Sequence, residues 1–454
     1  MIRNVTCAAI AVVMLAAFYH AGATEHARRV NIERTRADQI GYLWDAVAIY
    51  KARHGGPDTL IGERNRMPLY PWLLSWLYEP SMSPDEFFAV AKTWNIRLSL
   101  ALLAALALIA WRRLPPLIAT NFVLVVAFGY YMFKAGYAQV ELLFYFLLFA
   151  TFLACCELLR TDNPKRTFAM AALAGALAAL THLGKAAMLP YMAVVLLVCA
   201  ARAVAPPLRG ELHNRGAAWR LAMTRAAGAV VFTVCVLGVL SPYLANSKRH
   251  FGHYFYNVNS TFYVWYDDWP AASIGTYKDG DGVGWPTTPP EKIPTMRTYL
   301  RDHSARQIAA RFVNGFIEMI TVSYTRLWYF KYVVLYALFG LAMILKARRP
   351  FAALVRGQPA LFAFMALYGG VFLAAVAFYQ PISGTSLRML LAHIAPFLFA
   401  VSALSARPPF RDLRARVAGI TLTPAHFHLF MLATIAADLV FVQWERLMGN
   451  FAGY

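Results

Sequence analysis

The chain has 454 residues, 59% of them hydrophobic and only 15% charged, with a mean hydropathy of +0.48. A soluble domain cannot cover itself with polar surface at that ratio, so the composition excludes a soluble globular protein and predicts a polytopic membrane protein. The formal charge of +20 would point to nucleic acid in a soluble chain; here it follows membrane topology, and no nucleic-acid partner is expected.

Apolar runs approaching the roughly 20 residues needed to cross a bilayer occur in order along the chain. They are Val5–Tyr19, Ile96–Trp111, Pro116–Met132, Val140–Leu159, Phe168–Leu183, Met188–Val204, Ala226–Leu244, Leu327–Ile344, Pro359–Phe378, Met389–Leu404 and Phe427–Val442. They predict an all-α fold, one domain over 1–454, with about eleven transmembrane helices. The first run also fits a cleavable signal peptide, with Arg3 before it and Ala21-Gly22-Ala23 after it.

With the N-terminus inside, every short inner loop is basic. Arg112 and Arg113 occupy the first, Arg160, Lys165 and Arg166 the next, then Arg202 to Arg225, Lys346 to Arg356, and Arg407 to Arg416. Most of the positive surplus is therefore a topology signal. The outer side receives two long aromatic-rich segments, 22–95 and 245–325, and short turns at 133–139, 184–187 and 379–388. No inner loop is long enough for a nucleotide-binding domain, and no G-x-G-x-x-G or Walker pattern occurs. Chemistry is expected on the outer face. Cys7, Cys155, Cys156, Cys199 and Cys235 all lie in apolar runs, so neither a disulfide framework nor a thiolate metal site is indicated.

The first outer segment contains Arg36-Ala37-Asp38-Gln39-Ile40-Gly41-Tyr42-Leu43-Trp44-Asp45. As a helix, it puts Ile40, Leu43, Trp44 and Val47 on one face and Asp38, Tyr42 and Asp45 on the other. Such an amphipathic helix is expected to lie flat at the membrane surface with its acids outward. Arg64-Asn65-Arg66-Met67-Pro68-Leu69-Tyr70-Pro71-Trp72 follows. Two more polar punctuations open or close apolar runs on the same face: Leu180-Thr181-His182-Leu183-Gly184-Lys185 and Leu387-Arg388-Met389-Leu390-Leu391-Ala392-His393-Ile394-Ala395-Pro396.

In this order, these stretches resemble the GT-C glycosyltransferases. The nearest likeness is to the protein O-mannosyltransferase-like branch, which includes the bacterial transferase that adds aminoarabinose to lipid A. The resemblance covers most of the chain in topology and about forty residues in motif. It implies transfer of a sugar from a polyprenyl-phosphate donor to a hydroxyl of an envelope glycolipid, a lipid-linked glycan or a protein, in one inverting step with Asp38 as base. Arg64, Arg66, Lys185 and Arg388 are then candidates for the donor phosphate: arginine through its planar fork, lysine as a point charge. Asp45, Tyr42, His182, Glu141, Asp267 and Asp268 are candidates for sugar or acceptor contacts, Glu141 also for orienting an arginine. Asp267 and Asp268 stand among Tyr263, Trp265, Tyr266 and Trp269, whose faces suit sugar rings.

The chain departs from the family pattern in three places: Asp38-Gln39 where Asp-Glu is common, Arg66-Met67-Pro68 where Lys-Pro is common, and Met389 where tyrosine follows the late arginine. No cofactor and no metal site are called for, and a divalent-metal requirement is left open. The bilayer is the remaining partner, a monomer is expected, and a bacterial inner membrane with an extracytoplasmic site is the expected location.

Each residue also has a plainer reading. Asp38 can be a helix cap, Arg64 and Arg66 headgroup anchors, and Lys185 and Arg388 snorkelling interface residues. His182 can be a satisfied polar group. Asp279-Gly280-Asp281 is a turn composition, His250 and His253 lack a third ligand, and Asp438 in the last run needs a partner. A transporter of lipid-linked saccharide is the rival class; it calls for internal repeats and charges at mid-membrane, whereas no repeat is found and the ionisable candidates gather at outer ends.

Overall fold

A computed structural model describes residues 2–56, 66–209, 215–272, 294–326, 329–383, 387–417 and 419–448. Among these, nine helices are long and apolar enough to cross a membrane, and one bent pair raises the number to ten. The architecture is that of an all-α, multi-pass membrane protein.

Helix α1 (Ile2–Arg29) is followed by α2 (Gln39–Arg53), α3 (Leu69–Leu74) and α4 (Pro84–Arg113). Then come α5 (Pro116–Ala135), α6 (Glu141–Arg160), α7 (Pro164–Gly184), α8 (Leu189–Arg209) and α9 (Arg215–Phe251). The second half holds α10 (Ala305–Arg326), α11 (Phe330–Lys346), α12 (Arg348–Gly357), α13 (Pro359–Ser383), α14 (Leu387–Ser405) and α15 (Pro424–Val442). Ten of the expected spans correspond to α4 to α9, α11 and α13 to α15. The first, Val5–Tyr19, lies inside α1, which is not among the helices that meet the membrane-crossing length and hydropathy.

Several helices outrun their apolar cores. Helix α4 starts well before Ile96 because Ser83 and Glu86 form a capping box, Ser83 N to Glu86 Oε2 2.7 Å, with Pro84 in the first turn. The 37 residues of α9 span about 55 Å at 1.5 Å per residue, well beyond a hydrocarbon core. The segment read as the second outer loop contains α10, which lies along α13; a side chain at Gly315 would collide with the Ala377 carbonyl. Buried Arg311 of α10 donates to the Phe378 carbonyl at 2.9 Å and to the Val264 carbonyl at 3.1 Å, tying the segment to the end of α13. An antiparallel pair, Ala415–Val417 with Ile420–Leu422, is the one sheet among the described residues.

The twenty residues of α6 separate two chemically different ends of the bundle by about 30 Å. At its Arg160 end, Glu157 accepts from Arg113 at 2.8 Å and Arg166 at 2.7 Å, with Arg160 at 3.5 Å. Asp162 beside it pairs with Arg202 at 2.8 Å and Arg225 at 3.0 Å. Arg113, Arg160, Arg166, Arg202 and Arg225, all read as inner-loop residues, thus collect at one end, and Asp38, Glu141, Lys185 and Arg388 at the other.

Several polar groups inside the bundle find partners across helices. Both α5 and α15 contain a π turn, Ala127–Tyr131 and Asp438–Val442. Such a turn displaces a carbonyl from the helical ladder, and Gln443 Nε2 donates to the Phe128 carbonyl at 3.2 Å. Asp438 has the partner that the sequence left unnamed: Lys331 Nζ lies 2.5 Å away, and the Tyr332 hydroxyl donates to the same carboxylate. Cys155, Cys156 and Cys199 are buried free thiols and Cys235 is half-buried.

Candidate functional site

The site begins with a strained turn. Arg36–Asp38 form one 3-10 turn, and α2 starts at Gln39 with Asp38 as its N-cap residue. Ala37 (φ 58°) and Asp38 (φ 69°) both occupy the left-handed region, which side chains with a Cβ avoid. Each costs on the order of 1–3 kcal/mol and persists only if the surroundings over-determine it.

Four side-chain amides do so. Buried Gln39 donates from Nε2 to Asn31 Oδ1 at 2.7 Å and to the Arg36 carbonyl at 2.9 Å. Its Oε1 accepts from Asn31 Nδ2 and from the Ala138 N–H, both at 2.9 Å. Asn31 Nδ2 also reaches the Gly136 carbonyl at 2.7 Å, and Gln139 Nε2 donates to the Ala37 carbonyl. Asn95 holds the Ala135 and Tyr137 carbonyls at 3.0 and 2.7 Å. The turn that carries Asp38 is thereby locked to the turn that opens α6 at Glu141. Glutamine at 39 serves here as both donor and acceptor; a carboxylate would only accept.

The charges meet on this frame. Arg388 Nη1 donates to Asp38 Oδ2 at 3.0 Å and lies 3.5 Å from Glu141 Oε1, while Lys185 Nζ reaches the same Glu141 oxygen at 3.2 Å. Glu141 is 2% exposed and Asp38 59% exposed, so Glu141 organises cations from inside while Asp38 presents its carboxylate outward. Glu141 Oε2 is buried without a hydrogen-bond partner. Lys134, buried at the end of α5, lies within electrostatic reach of Glu141, Arg388, Lys185 and Arg36, and its Nζ stands 5.1 Å from the Tyr137 ring centre.

Tyr42 lies beneath this cluster. Burial pushes its hydroxyl well above the usual range; Glu141 and Asp38 add to the shift, and Arg388 and Arg66 oppose it. It therefore remains a hydrogen-bond donor. Its ring meets Tyr70 edge-on at 5.4 Å, and burial raises Tyr70 as well. The helical-face assignment needs correction here: Gln39, Tyr42, Leu43, Ala46 and Ile49 form the buried face, while Trp44 is 65% exposed. Tyr42 faces the protein because α3 packs over that side, so the face is set by neighbours and not by the local alternation. Asp45 does not join the cluster directly; Arg66 Nε lies 3.3 Å from its Oδ2, and the guanidinium covers Gly41, where a Cβ has no room.

The other candidates lie apart. Asp267 pairs with His303 at 3.1 Å and Arg311 at 3.7 Å, and Asp268 accepts from the Ala271 N–H at 2.8 Å as a turn cap. His182 is buried between the rings of Tyr243 and Phe255, with neither nitrogen hydrogen-bonded. Arg64 and Asp279-Gly280-Asp281 fall outside the described residues. Among the described residues, no three His, Cys, Asp or Glu side chains gather closely enough to hold a metal ion. The second long segment does approach the site: the Tyr379 hydroxyl donates to Asn259 Oδ1 at 2.9 Å, and Tyr379 lies within electrostatic reach of Asp38.

Lys134, Asn31, Asn95 and Gln139 were not singled out from the sequence. A lysine closing an apolar run was a usable signal for Lys134; nothing local marks the three amides. The assembled site offers an exposed carboxylate, a buried carboxylate, two converging cations and a buried lysine beside them, an arrangement able to hold a phosphate and accept a proton beside it. No family model matches the chain, and neither curated proteins nor solved structures gave a match.

Proposed function

We propose that the chain is a membrane glycosyltransferase of the GT-C type, which moves a sugar from a polyprenyl phosphate to a hydroxyl of an envelope lipid, a lipid-linked glycan or a protein. The carrying observation is the contact of exposed Asp38 with Arg388, inside a cluster that also contains Lys134 and Lys185. Arg388 and Lys185 converge there, and Lys134, buried beside them, would take up charge opposite an added phosphate, so the phosphate would be attracted.

In this reading the donor phosphate lies against Arg388, Lys185 and Lys134, which stabilise the charge left on it as the glycosidic bond breaks. Asp38 accepts the proton of the attacking hydroxyl, the new bond forms on the opposite face of the anomeric carbon, and the polyprenyl phosphate leaves. Glu141 fixes the cations. Tyr42 supports the cluster from beneath, packed against Tyr70, and the Asp45–Arg66 pair walls the cluster. The Asp38 end faces outward across a bacterial inner membrane.

The test compares wild type with Asp38→Asn, each incubated with a panel of polyprenyl-phosphate sugars and total envelope lipids. Release of polyprenyl phosphate by wild type, lost in the variant while donor binding persists, supports the assignment. Release unchanged in the variant moves the base elsewhere. No release from any donor, together with movement of sugar-lipid across proteoliposomes, favours the transporter.

A further inference from the structure

A cleft of about 760 Å³ opens between α6, α11, α12, α13 and α14, far from Asp38. Phe152, Met365, Phe372, Ile394 and Phe397 form its walls, and its polar lining collects at one end: Arg113, Arg160, Gln358 and Arg407. From His393 to Arg407 the cleft follows α14 for about 20 Å at 1.5 Å per residue. His393 itself is occupied, held by Tyr368 at 2.6 Å and stacked on Phe372.

Helix α12 fixes the level of the polar end. It turns 94° from α11, puts Phe351 and Leu354 into the cleft lining, and leaves Arg348, Arg349 and Arg356 exposed. A short helix with one apolar and one arginine-rich face lies along a bilayer interface. The arginine rim therefore sits at headgroup level, and the aromatic walls reach into the hydrocarbon.

The rim is short of negative charge. Arg113, Arg160 and Arg166 share the single carboxylate of Glu157, and exposed Arg407 has no carboxylate partner among the described residues. Gln358 Oε1 is buried without a hydrogen-bond partner, an acceptor waiting for a donor. An anion above an apolar slot, with a hydroxyl beside it, describes a phospholipid.

We propose that the cleft binds an anionic glycerophospholipid from the adjoining leaflet. Its phosphate lies against Arg407, Arg160 and Arg113, a headgroup hydroxyl meets Gln358, and an acyl chain runs along Phe152 and Phe397. The site is independent of the reaction at Asp38.

The experiment titrates phosphatidylglycerol and phosphatidylcholine with identical acyl chains onto the purified full chain and counts retained lipid by native mass spectrometry. Wild type retains phosphatidylglycerol preferentially. Arg407→Glu weakens that retention by about tenfold or more, the loss expected for one charge-assisted hydrogen bond, and Arg407→Lys keeps most of it. Gly369→Phe abolishes it by filling the cleft, since no atom lies within 4 Å of a Cβ built there. Melting temperatures report whether each variant is folded; the exposed Arg407 keeps the test decisive if Gly369→Phe is not. Equal retention of the two lipids, or retention unaffected by Arg407→Glu, overturns the proposal. So does stronger retention of a polyprenyl phosphate that ignores Arg407→Glu, which would make the cleft the tail site of the sugar donor.

Discussion

Arg388 and Asp38 are 350 residues apart in sequence and 3.0 Å apart in space. The same guanidinium nitrogen lies 3.5 Å from Glu141, so one side chain connects the exposed carboxylate to the buried one. In the proposed reaction, Arg388 both aims Asp38 and receives the donor phosphate. Arg388→Ala is expected to lower turnover by about 10²–10³-fold, the scale of losing one preorganised charge donor. Arg388→Lys should recover part of it, because lysine restores the charge but not the fork. Released polyprenyl phosphate is the readout, and full activity in Arg388→Ala would remove Arg388 from the site.

The left-handed turn at Ala37 and Asp38 predicts a stability effect without any reference to catalysis. Gln39→Leu removes both donors and the acceptor that fix the turn, leaving the Ala138 N–H and the Asn31 amide short of partners. The expected loss is about 1–3 kcal/mol per buried group left unsatisfied. Ala37→Val should also destabilise, since a β-branched residue resists the left-handed region, whereas Ala37→Gly should be tolerated. Thermal unfolding in detergent measures all three, and an unchanged midpoint for Gln39→Leu would show that the turn is held some other way.

The fold was more legible in the sequence than the site. Apolar runs mark spans directly because each must cover the same hydrocarbon thickness, and five of the loop cations, Arg113, Arg160, Arg166, Arg202 and Arg225, gather around Glu157 and Asp162. The long amphipathic α10 was not legible as a helix: its arginines and Glu318 dilute the apolar signal, and its role depends on α13. Asp38, Lys185 and Arg388 came from motif likeness and Glu141 from its place at the outer mouth of a span, and the four converge in space. Tyr42 was put on the wrong face because a short helix packed on two sides has no single polar stripe. The amides Asn31, Gln39, Asn95 and Gln139 act on carbonyls distant in sequence, so no local pattern reveals them.

Asp438 and Lys331 give a test within the bundle. Asp438→Ala leaves Lys331 and the Tyr332 hydroxyl without this acceptor beside the π turn. Lys331 is 42% exposed, so the loss should be smaller than for a fully buried pair, about 1–3 kcal/mol. Lys331→Met combined with Asp438→Leu should regain much of it, since an apolar pair carries no desolvation penalty. A double variant no more stable than Asp438→Ala would mean that Asp438 acts mainly through Tyr332, which Tyr332→Phe in the same background then separates.

Lys134 supplies the sharpest check on the donor site because no motif pointed to it. It is 6% exposed at the end of α5, and its charge acts on Glu141, Arg388, Lys185 and Arg36. Lys134 is buried near Arg388 and Lys185, like charges that Glu141 only partly offsets, and a ligand with negative charge would favour its ammonium form. Lys134→Met keeps the length of the stem and removes the charge. It should therefore leave the melting temperature unchanged or raise it, while weakening binding of a polyprenyl phosphate by about tenfold, the equivalent of roughly 1.4 kcal/mol. Equilibrium binding and thermal melting on the same preparation separate the two effects. A fall in stability with unchanged phosphate affinity would make Lys134 a structural counter-charge to Glu141 and confine the phosphate to Arg388 and Lys185.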